Sequence, residues 1–185
     1  LPIVPITDLT IKDNSLIVAT QGRSIWILDD LTVLHQLSES TKEPKLYKPK
    51  DAYRMRGSGG TKSLTAGTNL PNGVIVHYYL PSFNNENDEV KISIHSKVGE
   101  LIKEFSNKSS ENKIQVKEGG NSFVWNMKYP GAKRLDNMVL WAADFSGAKA
   151  VPGDYIVKLS VNQTELTQNF KILKDPTSEG TIDDI

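Results

Sequence analysis

The sequence predicts an all-β protein, with an immunoglobulin-like antiparallel β-sandwich that follows partial propeller-blade strands and a long linker. Apolar and polar residues alternate over residues 90–95 and 155–162, a pattern typical of strands with one buried face. Turn-forming residues such as Asp13 with Asn14, and Asn162 with Gln163, separate the apolar segments. Together these patterns give about seven strands in about 100 residues, as expected of such a sandwich.

The first part of the chain, residues 1–37, is predicted to form one unit of three strands. Strands are expected at residues 6–11, 16–20 and 25–28, with a turn at Gly22 and Arg23 before the third. The second and third are continuous apolar runs, which predicts strands covered on both faces. Either of two adjacent acidic residues, Asp29 and Asp30, is expected to cap a short helix that follows.

A linker is predicted over residues 38–72, because Ser, Thr, Lys, Glu and Pro dominate its first part and glycine its later part. Residues 46–55 carry enough apolar side chains to dock onto a folded domain, so the segment is not expected to be free throughout.

The sandwich itself is predicted over residues 73–174, and a polar tail over residues 175–185. Trp125 is expected in its core, because Phe123, Trp125 and Met127 alternate with more polar positions. The predicted strands cover residues 74–80, 90–95, 101–105, 122–127, 138–142, 155–162 and 166–172.

Composition limits the function classes. The chain has 185 residues, with 22 basic and 22 acidic side chains, and this balance argues against a nucleic-acid partner. No apolar run reaches the roughly 20 residues that span a bilayer. There is no cysteine, which removes thiol nucleophiles and cysteine metal sites. The three histidines, His35, His77 and His95, have no metal-binding spacing, so we expect no metal or other cofactor.

Several segments resemble the C-terminal part of sortilin-like β-propeller proteins with BNR-type repeats, many of which are labelled glycosyl hydrolases. Residues 4–14 and 19–31 resemble the last propeller blade. Residues 71–73, 123–131 and 152–159 resemble the immunoglobulin-like domain that follows such propellers, which is similar to a domain of flagellar hook-capping proteins. The resemblance implies a larger, exported bacterial protein, either periplasmic, on the outer surface or secreted.

The resemblance implies little chemistry within this chain. A propeller active site lies over the central channel and needs residues from several blades, so no catalytic residue is assigned here. We therefore expect a non-catalytic structural or accessory domain whose partner is the upstream propeller of the same polypeptide. Open strand edges in residues 1–37 also predict self-association.

Carbohydrate binding is the alternative function. Sandwich modules hold sugars on exposed aromatic rings, and the best candidates are Trp141 and Tyr129, followed by Tyr47 and Tyr53. Burial in the core is the favoured interpretation for each of these aromatic residues, and exposure of Trp141 would favour the binding alternative.

Overall fold

The computed structural model describes residues 3–37, 42–55, 69–133, 141, 144–182 and 184. The chain divides into two compact units, Leu1–Ser40 and Thr41–Ile185. Nearly all regular structure in both units is β, which confirms the predicted fold class. In the described part of the chain, no helix has the length and apolar character that crossing a membrane requires.

The first unit is a three-stranded antiparallel sheet of β1 (Ile6–Lys12), β2 (Ser15–Thr20) and β3 (Ile25–Leu28), in that order, followed by the single helical turn α1 (Thr32–His35). Asp13 and Asn14 both have positive φ between β1 and β2, which confirms the tight turn predicted there. The N-cap of α1 is Leu31, whose side chain makes no capping bond, so the prediction that Asp29 or Asp30 caps the helix is wrong; Asp30, one residue earlier, accepts a hydrogen bond from the backbone N–H of Thr32 (2.9 Å).

On one face of this sheet, two neighbouring rows of paired residues across the three strands are entirely apolar. Leu9 pairs with Val18 and Val18 with Trp26, while Ile11 pairs with Leu16 and Leu16 with Leu28. Val18 is buried, but Leu9 is 59% and Trp26 44% exposed, and every residue of β1 and β3 is exposed. The first unit itself therefore leaves β3 uncovered on both faces, and the expectation that β2 and β3 are covered on both faces stays a prediction.

The second unit is a sandwich of two sheets. Its strands are β4 (Lys45–Leu46), β5 (Ala52–Tyr53), β6 (Val74–Leu80), β7 (Val90–Ser96), β8 (Leu101–Ser106), β9 (Gly119–Trp125), β10 (Gly153–Val161) and β11 (Thr164–Leu173). One sheet has the order β5-β11-β10-β7-β8, and the other has the order β4-β6-β9. All pairs are antiparallel except β5 with β11.

A single apolar core joins the two sheets. Alternate residues of β6, β7 and β10 are buried, as the sequence alternation predicts. Trp125 from the smaller sheet is fully buried, and its ring makes edge contacts with Tyr155 and Phe170 of the larger sheet. The prediction that Trp125 belongs to the core is confirmed.

The linker predicted over residues 38–72 differs from the structure between residues 45 and 53. There β4 pairs with β6 and β5 pairs with β11, and Leu46 and Tyr47 are buried. These residues are edge strands of the sandwich, because their apolar side chains complete its core. The strand predicted at residues 138–142 lies outside the described residues, except for Trp141, which is in a bend.

Candidate functional site

Polar side chains gather at one end of the sandwich, where β9 ends at Trp125, β5 ends at Tyr53 and β10 begins at Gly153. Residues 126–133 leave β9, and residues 144–152 lead into β10. The two segments run side by side, since Ala150 donates its N–H to Met127 O (2.6 Å) and Tyr129 donates to Ala148 O (2.9 Å). This backbone pairing positions the side chains of the site.

Two lysines face each other across this pairing. Lys128 and Lys149 form an antiparallel bridge, and the hydrogen bonds flanking them identify a non-hydrogen-bonded pair, in which side chains come closest. Lys128 Nζ donates to Ser146 Oγ (2.6 Å), and Lys149 Nζ donates to Met55 O (2.5 Å). Both ammonium groups are therefore held by neutral oxygen atoms.

A third cation, Arg54, follows β5 and reaches the same place. Its Nε donates to Ala150 O (3.1 Å), next to Lys149 in the chain. The pKa of Lys149 is lowered first by burial and then by the positive charges of Arg54 and Lys128. We call Arg54, Lys128 and Lys149 the basic cluster; all three side chains are partly buried.

A carboxylate stands beside Lys128. Asp144 accepts hydrogen bonds from the Ser146 backbone N–H and hydroxyl, both at 2.8 Å. These bonds, with a smaller contribution from the charge of Lys128, lower the pKa of Asp144. The contact between Asp144 and Lys128 passes through the Ser146 hydroxyl. Across the described ranges, no member of the basic cluster forms a direct ion pair within 4.0 Å of a carboxylate.

Two tyrosines lie next to the basic cluster. The Tyr155 hydroxyl donates to Val151 O (2.7 Å), and its ring stacks on Phe170 with a centroid distance of 5.8 Å. Burial, followed by interaction with Tyr129, raises the pKa of Tyr155 to about 12, while the charge of Arg54 opposes this. Tyr155 is buried, whereas Tyr129 is 37% exposed and can offer part of its ring to a ligand.

Two glycines let the paired segments approach closely. A Cβ added at Gly147 would lie 2.1 Å from Tyr129 O, and one added at Gly131 would lie 2.2 Å from Phe145 O. Any side chain at either position would force the segments apart. The conformation that presents Tyr129 and Lys128 therefore depends on these two glycines.

The predicted aromatic candidates have different environments. Trp141 is 98% exposed, so the expectation that it is buried is wrong, and Tyr53 is also exposed at 48%. Tyr47 is buried, in agreement with the core interpretation. Ring contacts in the described part of the chain do not include one between Trp141 and Tyr129.

The other polar candidates have structural contacts. Asp30 accepts hydrogen bonds from Asn14 Nδ2 (3.1 Å) as well as from the start of α1. His95 bonds Ser93 Oγ (2.9 Å) and Gly99 O (3.1 Å) within its own hairpin. No group of three or more potential ligands that could hold a metal ion occurs among the described residues.

The basic cluster was not predicted from the sequence. Arg54, Lys128 and Lys149 are far apart in the chain, and the zero net charge conceals a local excess of positive charge. Only the pairing of residues 127–129 with 148–150, and the placement of β5 beside β11, brings them together. No family model matches the chain, and no curated protein sequence matches it significantly.

Proposed function

We propose that this chain is a non-catalytic accessory part of a larger, exported β-propeller protein. In this proposal residues 1–37 close a propeller blade, and the sandwich is a structural domain of the same polypeptide. The apolar face of the first unit is the observation that carries the proposal. The resemblance of residues 4–14 and 19–31 to a last blade supports it, and it is also the basis for placing the protein outside the cytoplasm.

The apolar face has the properties of a surface that packs on another sheet. Its members are Leu9, Ile11, Leu16, Val18, Trp26 and Leu28, contributed in pairs by three adjacent strands. Leu9, Ile11, Trp26 and Leu28 are exposed, whereas Leu16 is half-buried and Val18 is buried within the unit. Exposed apolar surface shared by neighbouring strands marks interaction sites in soluble proteins. Propeller blades are sheets of about four strands that pack around a central axis, so a three-stranded sheet accounts for most of one blade.

A pair of substitutions at exposed apolar residues tests this docking. Leu9 lies on the apolar face and is 59% exposed, whereas Val98 lies between β7 and β8 of the second unit and is 80% exposed. Burying a leucine stabilises a protein by about 1.5–3 kcal/mol, and a lysine ammonium in its place would be desolvated without a partner. In the polypeptide as its organism makes it, Leu9→Lys should lower Tm by several degrees, and Val98→Lys should leave it nearly unchanged.

The dilute 185-residue chain is the control, in which both variants should melt like the parent because Leu9 is exposed there. Equal Tm values for Leu9→Lys and Val98→Lys in the natural polypeptide would contradict the proposal.

Carbohydrate binding is a second candidate function for the sandwich, favoured by the near-complete exposure of Trp141 and the partial exposure of Tyr129. Exposed aromatic rings stack on the apolar faces of sugars. Calorimetric titration of the chain with oligosaccharides tests it, and Trp141→Ala or Tyr129→Ala should then weaken binding. Unchanged affinity in both variants would exclude a role for these rings.

A further inference from the structure

The basic cluster has an excess of positive charge held in fixed geometry. Lys128 and Lys149 occupy directly opposed positions, where like charges destabilise a pair of strands. Arg54 adds a third positive charge, anchored to Ala150 O next to Lys149. An anion bound among the three would reduce this repulsion.

The three side chains are positioned before any ligand arrives. Lys128 is tied to Ser146, Lys149 to Met55 O and Arg54 to Ala150 O. An ammonium group has three N–H donors and a guanidinium has five, so these bonds leave donors for a further acceptor. Fixing such long side chains in advance lowers the entropy cost of binding. Partial burial also weakens the screening of their charges by salt.

The aromatic neighbour indicates which kind of anion fits. Tyr129 is partly exposed and interacts with Tyr155, and the charge of Arg54 also acts on Tyr155, so Tyr129 lies near the Arg54 side of the basic cluster. A ring beside cationic donors suits a ligand with both an apolar face and an anionic group. An acidic sugar has a ring face that can stack and a carboxylate that accepts charge-assisted hydrogen bonds.

We propose that Arg54, Lys128 and Lys149, together with Tyr129, form a binding site for an anionic saccharide. The saccharide part of this inference rests on the second candidate function, carbohydrate binding, whereas the anion part rests on the basic cluster alone. Arg54 and the two lysines contact the acidic group, and Tyr129 contacts the sugar ring.

Calorimetric titration of the full chain with three probes tests this site. The probes are tetragalacturonate, the neutral maltotetraose and sodium sulfate. Tetragalacturonate should bind with an affinity that falls as salt rises, and both maltotetraose and sulfate should bind at least ~10-fold more weakly.

Lys149→Met and Arg54→Gln should each weaken tetragalacturonate binding by about 10-fold or more, as expected for losing a charge-assisted contact. Lys97→Met is the matched control: it removes one positive charge from the sandwich at a side chain that is 76% exposed and paired with Asp154, and it should bind like the parent. Tyr129→Leu removes the aromatic ring, keeps an apolar side chain and should also weaken binding. Thermal unfolding of each variant verifies that the sandwich is intact.

The outcomes separate the two ideas. Equal binding of tetragalacturonate and maltotetraose would overturn the anionic site and leave carbohydrate binding in place. Sulfate binding as tight as tetragalacturonate would overturn the saccharide part and leave a site for small anions. No binding of any probe, or unchanged affinity in folded Lys149→Met and Arg54→Gln, would overturn the proposal.

Discussion

Replacing Trp125 by alanine is the most direct perturbation of the sandwich core. The side chain is fully buried between the sheets, 6.0 Å from the Tyr155 ring and 6.3 Å from the Phe170 ring. Removing a buried tryptophan costs about 3–5 kcal/mol, and the lost edge contacts and the 3.2 Å bond from Nε1 to Lys128 O place the cost toward the upper end. We expect a loss of about 4–5 kcal/mol, a large share of the ~5–15 kcal/mol that stabilises a typical domain.

Urea unfolding followed by far-ultraviolet circular dichroism measures this loss. Trp141→Ala is the matched control, because that side chain is 98% exposed and its removal should change stability by less than about 0.5 kcal/mol. A loss below about 1 kcal/mol for Trp125→Ala, or equal losses for the two variants, would refute the arrangement of the core.

Three further predictions concern the loops and the sheet edges. Gly147→Ala should destabilise the sandwich by about 1–3 kcal/mol, because the new methyl group would lie 2.1 Å from Tyr129 O and force the two paired segments apart. Thermal unfolding measures this loss, and an unchanged Tm would contradict the close approach of the segments. Hydrogen bonds from the Asn84 backbone N–H and the Asn162 side chain lower the pKa of Asp88. The stability that they contribute is present above the ordinary aspartate pKa and is lost as the pH falls through the lowered value. Asp88→Asn should therefore reduce the acid-induced fall in Tm, and an identical pH profile would refute the assignment. The open edges of the first unit predict concentration-dependent self-association in sedimentation velocity, and a single monomeric species at all concentrations would exclude it.

The regular strands of the sandwich could be predicted because their local pattern and their tertiary environment agree. Residues 90–96 alternate in polarity, and their side chains alternate between core and surface in β7. The turn at Asn162 also follows from local chemistry, since asparagine tolerates the positive φ found there. Local signals suffice where a strand has one buried face.

The short edge strands could not be predicted in this way. β4 and β5 have two residues each, too few to display an alternation. Their assignment depends on pairing with β6 and β11, which follow them by more than 25 and 100 residues. A polar, proline-containing composition therefore indicates a linker, although Leu46 and Tyr47 are buried in the sandwich.

The candidate site was predictable only in part. Tyr129 and Trp141 could be chosen as aromatic residues outside clear alternation, but their exposure depends on how the segments between β9 and β10 fold. The basic cluster depends on a backbone pairing between Lys128 and Lys149, which are 21 positions apart, and on the path of β5. Periodicity contains no information on such contacts, so charge clusters of this kind emerge only from the folded chain.

Oxidative footprinting of the three tryptophans tests directly whether the apolar face of the first unit docks on another sheet. Trp26 lies on that face and is 44% exposed in this chain, Trp141 is a 98% exposed standard and Trp125 is a fully buried standard. In the dilute 185-residue chain, Trp26 should be oxidised readily, between the two standards. In the polypeptide as its organism makes it, Trp26 should become as protected as Trp125 while Trp141 stays reactive. Equal oxidation of Trp26 in the two samples would contradict the claim.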